Sequence, residues 1–184
     1  MPLDRCGTEM NFYERTSPRS GSSMSHATPT VFIVDDDVSV RESLESLIRV
    51  EGWQPETFAS AQDFLSRPPD EAPSCLLLDI ELPGLDGLEL QERMATDRSE
   101  MPIIFVTGHG DIPRTVRAMK AGAVEFLTKP IVADVLLQAI RCAIERSREV
   151  LGHAAELKLL RERYASIGAT IRNATTLPSF PSRS

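Results

Sequence analysis

The chain has 184 residues, 41% of them apolar, with 13 prolines, three cysteines and a formal net charge of −7. This is enough for one buried core with extensions, and no apolar stretch approaches the roughly 20 residues needed to span a bilayer. The charge divides unevenly: residues 29–140 hold 20 acidic and 9 basic side chains (net −11), residues 141–184 hold 4 and 8 (net +4), and the first 28 balance at 3 each. So acidic a core excludes a nucleic-acid surface built on clustered Lys and Arg.

Residues 1–28 are rich in Ser, Thr, Pro and Gly without apolar periodicity, and are expected to be disordered. They lack the apolar centre of a secretory signal, and Met24 competes with Met1 as the start. Cys6, Cys75 and Cys142 form no even-numbered disulfide framework and no CxxC metal spacing, which points to a reducing, cytoplasmic setting.

From Thr30 a strand VFIV (31–34) precedes an amphipathic helix striped by Val40, Leu44, Leu47 and Ile48, with Gly52 closing it. WQPETF reads as a weak strand that Pro55 assigns to an edge, and Ser60 caps a short helix running through Leu65. After the loop RPPDEAP come the strand CLLL, the loop DIELPGLDG, a helix from about Leu88 to Thr96, the strand IIFV and the loop TGHGD. A helix from Ile112 to Lys120, Gly122 and the strand VEFL complete the alternation.

Five strands alternating with helices require right-handed crossovers. The expected fold is therefore α/β, a five-stranded parallel doubly wound (βα)5 sheet of flavodoxin-like type with an extended C-terminal helix. CLLL and IIFV, apolar on both faces, suit central strands. In such a sheet the strand carboxyl ends share one edge, where ligands bind. Asp35 and Asp36, Asp79, Thr107, and Thr128 with Lys129 would gather there.

Three carboxylates that close repel one another unless protons or a cation intervene. Mg²⁺ is the natural remedy, because it prefers oxygen ligands and leaves room for waters and a substrate phosphate. Asp79 could then attack a phosphoryl group to form an acyl phosphate, with Lys129 and Thr107 donating to the transferred oxygens.

VFIVDDD, LLLDIELPGLDG, IIFVTGHGD and AGAVEFLTKP, in order over residues 30–142, resemble the signatures of response-regulator receiver domains of bacterial two-component systems. TGHGD and KAGAVEFLTKP look most like the branch carrying LuxR-type helix-turn-helix output domains.

The resemblance implies Asp79 as phosphoacceptor and Asp35 and Asp36 as the acidic pocket. Asp36, Asp79 and the backbone carbonyl of Glu81 would hold Mg²⁺. It implies Thr107 as switch hydroxyl, Lys129 as phosphate-binding lysine, a cis peptide at Pro130 and Phe126 as the rotating switch aromatic. Glu81 and His109 fall where the family tunes phosphoryl lifetime, and Ile131 stands where it often has Phe. The donor would be a sensor histidine kinase. The protein would be no enzyme beyond self-catalysed phosphorylation and slow aspartyl-phosphate hydrolysis.

Taken singly, Asp37 is an N-cap, Thr107 a loop hydroxyl, Lys129 a solvated charge and Phe126 ordinary core. Their joint order favours the functional reading. A haloacid-dehalogenase-like phosphatase is the enzyme alternative, but it places its DxD nucleophile after the first strand. A phosphorylation-independent binding module is the other alternative, and it normally lacks one of the acidic, Thr or Lys positions.

Residues 29–142 form the expected receiver domain. From Asp134 to about Tyr164 the sequence is helix-compatible over about 45 Å. Leu136, Ile140, Ala143, Val150, Ala154, Leu157 and Tyr164 approximate a heptad seam, interrupted by Ser147 and Arg161. Residues 143–165 are thus either a dimerising, coiled-coil-like helix, giving a homodimer through the last helix and strand, or a solvated linker helix whose stripe packs only on its own domain. Residues 166–184, rich in Ser, Thr and Pro, are an expected disordered tail with no DNA-binding domain. The chain reads either as a single-domain regulator or as a shortened form of a longer transcription factor.

Overall fold

A computed structural model describes residues 27–69, 72–97, 101–108 and 112–174. The elements are β1 (Thr30–Val34), α1 (Val38–Val50), β2 (Gln54–Phe58), α2 (Ala61–Ser66), β3 (Ser74–Asp79), α3 (Gly87–Asp97), β4 (Ile103–Thr107), α4 (Ile112–Lys120), β5 (Glu125–Thr128) and α5 (Ala133–Ala174). All pairings are parallel, in the order β2-β1-β3-β4-β5.

This order explains the composition of each strand. β1, β3 and β4 lie inside the sheet and are buried along their whole length, hence their unbroken apolar runs. β2 is an edge, so Pro55 removes no ladder hydrogen bond on its open side.

Local chemistry fixes the helix ends. The Asp37 side chain accepts from the Ser39 amide at the start of α1, and Ser60 accepts from the Asp63 amide at the start of α2. The Ser39 hydrogen bonds hold the exposed Asp37 carboxyl below its ordinary pKa. Gly52 follows α1 at φ 84°, the left-handed conformation that ends a helix without a Cβ clash.

Alternation of side chains across the sheet builds two apolar layers. Phe32, Val34, Leu76, Leu78 and Phe105 face α2, α3 and α4, while Val31, Ile33, Cys75, Leu77 and Ile104 face α1 and α5. Cys75 is a free thiol whose pKa burial pushes up to about 12. Cys142 is disulfide-bonded, contrary to the reducing setting without a disulfide framework expected from the cysteine count, and its partner is not among the described residues.

The first half of the expected heptad seam is not a seam. Leu136, Ile140, Ala143 and Ile144 are buried in the α1 layer, and the Ser147 hydroxyl, itself buried, accepts from the Ser74 amide at 3.0 Å. The polar residue that looked like an interruption satisfies the first amide of β3. A compact unit accordingly ends at Ser147, and a second begins at Arg148. Helical backbone continues to Ala174, through residues 166–174 of the expected disordered tail. Among the described residues no helix is long and apolar enough to cross a membrane.

One buried polar side chain ties α3 to α4. Gln91 is buried, and its Nε2 donates to the carbonyls of Ala118 (3.3 Å), which also accepts the Ala123 amide, and Ala121 (3.2 Å), just past the end of α4. Gln91→Leu is expected to lower unfolding free energy by about 0.5–1.5 kcal/mol, the net worth of the hydrogen bonding it removes. Urea titration with an unchanged slope checks this.

Candidate functional site

The carboxyl ends of β1, β3, β4 and β5 converge as the parallel topology requires. Asp79 is the last residue of β3 and 5% exposed, and Asp35 follows β1 at 2%. Asp36, next in sequence, is exposed. One carboxylate oxygen from each of the three lies within 4.8 Å of the others.

Two local turns shape the pocket. The Asp37 amide donates to Asp35 Oδ1 at 2.9 Å, and the Glu81 amide donates to Asp79 Oδ1 at 3.0 Å. Each buried carboxylate thus has one oxygen held by its own loop and the other aimed across the pocket. Into that space Lys129 reaches from β5, its Nζ donating to Asp35 Oδ2 and Asp79 Oδ2, both at 2.7 Å.

The electrostatics follow. Burial raises the Asp35 pKa above its ordinary value, against the opposing bonds from Lys129 and the Asp37 amide. Burial also works against the Lys129 charge, but the bonds to Asp35 and Asp79 outweigh it and raise the ammonium's pKa. Lys129 therefore stays charged, and its contribution to stability is full below 10.5 and lost as pH rises through its higher folded value.

Thr107, the last residue of β4, is fully buried, and its carbonyl accepts from the Lys129 amide at 2.8 Å. The Lys129-Pro130 peptide is cis. Phe126 is half-buried on β5, its ring centroid 6.3 Å from that of Phe105. Of the sequence-selected positions, Asp35, Asp36, Asp79 and Lys129 form one cluster with Thr107 at its edge. Phe126 packs behind it, and His109 lies outside the described residues.

Two residues were missed. Arg41 on α1 donates from a guanidinium nitrogen to the Asp35 carbonyl at 2.6 Å, fixing the peptide that carries Asp36. A Cβ on Gly87 would overlap the Asp79 carbonyl oxygen and stand 3.0 Å from Ile80 Cα, so the start of α3 packs directly on the backbone of Asp79. The glycine ending LPGLDG was the only available signal for the second, and the spacing of Arg41 from Asp35 gave none for the first.

A fold of this topology with an acidic pocket and a lysine at the strand ends defines a class. The chain belongs to the response regulator receiver domain family, whose model matches residues 31–141. It is 46% identical over 147 residues to nodulation protein W of Bradyrhizobium diazoefficiens, covering 78% of this chain and 65% of that protein. It is 42% identical over 144 residues to the response regulator TodT of Pseudomonas putida, covering 78% and 63%. The solved structure of the response regulator StyR superposes with a TM-score of 0.72 at 46% identity, over 76% of this chain and 71% of that one. The chain thus spans somewhat less than two thirds of the length of these two curated relatives.

Receiver domains belong to two-component systems, and the phosphatase alternative is not favoured. The donor set fits a hard divalent cation, because three clustered carboxylates supply oxygen ligands and excess negative charge.

Proposed function

We propose that the chain accepts a phosphoryl group on Asp79 from a phosphohistidine of a sensor histidine kinase. An Asp79 carboxylate oxygen forms the new O–P bond as the donor N–P bond breaks, and the bonding pair stays with the imidazole nitrogen. The observation that carries this reading is the environment of Asp79: a buried carboxylate at a strand end, with one oxygen fixed by the Glu81 amide and the other held by Lys129.

Asp36, Asp79 and the Glu81 carbonyl would hold Mg²⁺, which when bound offsets the carboxylate charge and draws in the phosphoryl oxygens. Lys129 and the Thr107 hydroxyl donate to those oxygens, and Asp35 keeps the ammonium in place. Arg41 steadies the Asp35–Asp36 peptide. A groove lined by Val40, Leu44, Leu47, Pro130 and Ile131 opens beside Lys129 and supports a protein donor over a small ester.

Movement of Thr107 toward the phosphoryl group makes room for Phe126 to turn inward, remodelling the α4–β5 surface. Phosphorylation thereby changes the strength of self-association through the last helix and strand. The protein turns over no separate substrate; it catalyses its own phosphorylation and the slow hydrolysis that resets it. A phosphorylation-independent module is less well supported, since all the chemical positions are present in one cluster.

Intact-mass measurement after incubation with a small phosphodonor and Mg²⁺ tests the proposal. The wild type is expected to gain one phosphoryl group, and Asp79→Asn or addition of a chelator to abolish the gain. An unmodified wild type, under conditions that phosphorylate another receiver, overturns it.

A further inference from the structure

The helix beyond Ser147 carries an apolar stripe that its own unit leaves uncovered. Leu157, Leu160 and Tyr164 are 54%, 43% and 74% exposed. With Val150 they fall at positions a, a, d and a of one heptad register, starting from Val150 as a, and the sequence continues that register at Ile167 (d) and Ile171 (a). The register differs from the simple extension of the α5 stripe through Ser147 and Arg161, which belongs to the receiver core only as far as Ser147.

The flanking charges say what covers the stripe. In this register Glu156 is a g position and Arg161 the following e position, which in a parallel, in-register pair of identical helices face each other across the seam twice. Neither has a residue of opposite charge three or four positions away on its own helix, so these charges have no intrahelical use. His153 takes the one polar core position, a device that fixes register at some cost in stability.

We propose that residues 150–171 of α5 bind the same residues of a second copy as a parallel, in-register coiled coil. This pairing needs no phosphoryl group, so it can be tested separately from the phosphoacceptor reading. The full chain carrying Asp79→Asn is followed by sedimentation equilibrium at micromolar to sub-millimolar concentrations, without phosphodonor.

A reversible dimer is expected. Leu160→Glu should weaken it by roughly a hundred-fold or more, since two seam leucines are lost from burial. Leu159→Glu should leave it intact, although Leu159 is the more exposed neighbour at 58%. Glu156→Arg and Arg161→Glu should each weaken it by about ten-fold through like-charge contacts, and the double exchange should restore it.

A monomer throughout the range overturns the proposal. So do equal effects of the two leucine variants, or a dimer that survives Leu160→Glu. A double charge exchange no better than either single one overturns the parallel register.

Discussion

Lys129→Met is expected to slow phosphorylation of Asp79 by roughly 10²–10³-fold, the usual cost of removing one preorganised donor from the charge that develops during transfer. The same substitution has a stability signature. Lys129 is the cation bonded to both buried carboxylates, at 2.7 Å to each. Without it Asp35 loses the bond that holds its pKa down and keeps the burial and the neighbouring Asp79 charge that push it up.

A carboxyl whose folded pKa is raised above 3.8 contributes stability that is complete below 3.8 and lost as pH rises through the folded value. The deficit of Lys129→Met relative to wild type should therefore be largest at neutral pH and shrink on acidification toward the unfolded value. Thermal unfolding of both proteins across the acidic range measures this. A deficit that grows on acidification would mean that Lys129 does not serve to hold Asp35 ionised.

Gly87→Ala is expected to cost about 1–3 kcal/mol of stability and to impair phosphorylation as well. The new methyl cannot be relieved by turning a side chain, because what it meets is the Asp79 carbonyl and the Ile80 Cα. The start of α3 or the end of β3 must move, and the latter carries Asp79. Reduced unfolding midpoint together with a slower mass gain is the expected pair of results. A loss of stability with an unchanged phosphorylation rate would place the whole adjustment in α3.

The order of elements was legible because each buried strand is an unbroken apolar run and each helix an amphipathic stripe, patterns that depend only on neighbours along the chain. The clustering of Asp35, Asp36, Asp79 and Lys129 was legible for the related reason that a parallel sheet brings all its strand ends to one edge. What could not be read is what depends on distant segments meeting.

Asp35 and Asp36 are identical in sequence, yet only the first is buried and bonded to a lysine 94 positions away. Ser147 looked like a defect in a seam until the Ser74 amide, 73 positions earlier, supplied its role. Gly87 and Gln91 act on backbone oxygens of Asp79, Ala118 and Ala121, which no side-chain pattern records.

In the function proposed above, Asp79 itself becomes the acyl phosphate. Borohydride reduction of the phosphorylated chain, followed by peptide mapping, tests it most directly, since an aspartyl phosphate is reduced to homoserine where it stood. Homoserine is expected at position 79, with aspartate retained at 35 and 36. Homoserine at either of those positions, or a stable phosphoester elsewhere with Asp79 unchanged, would contradict it.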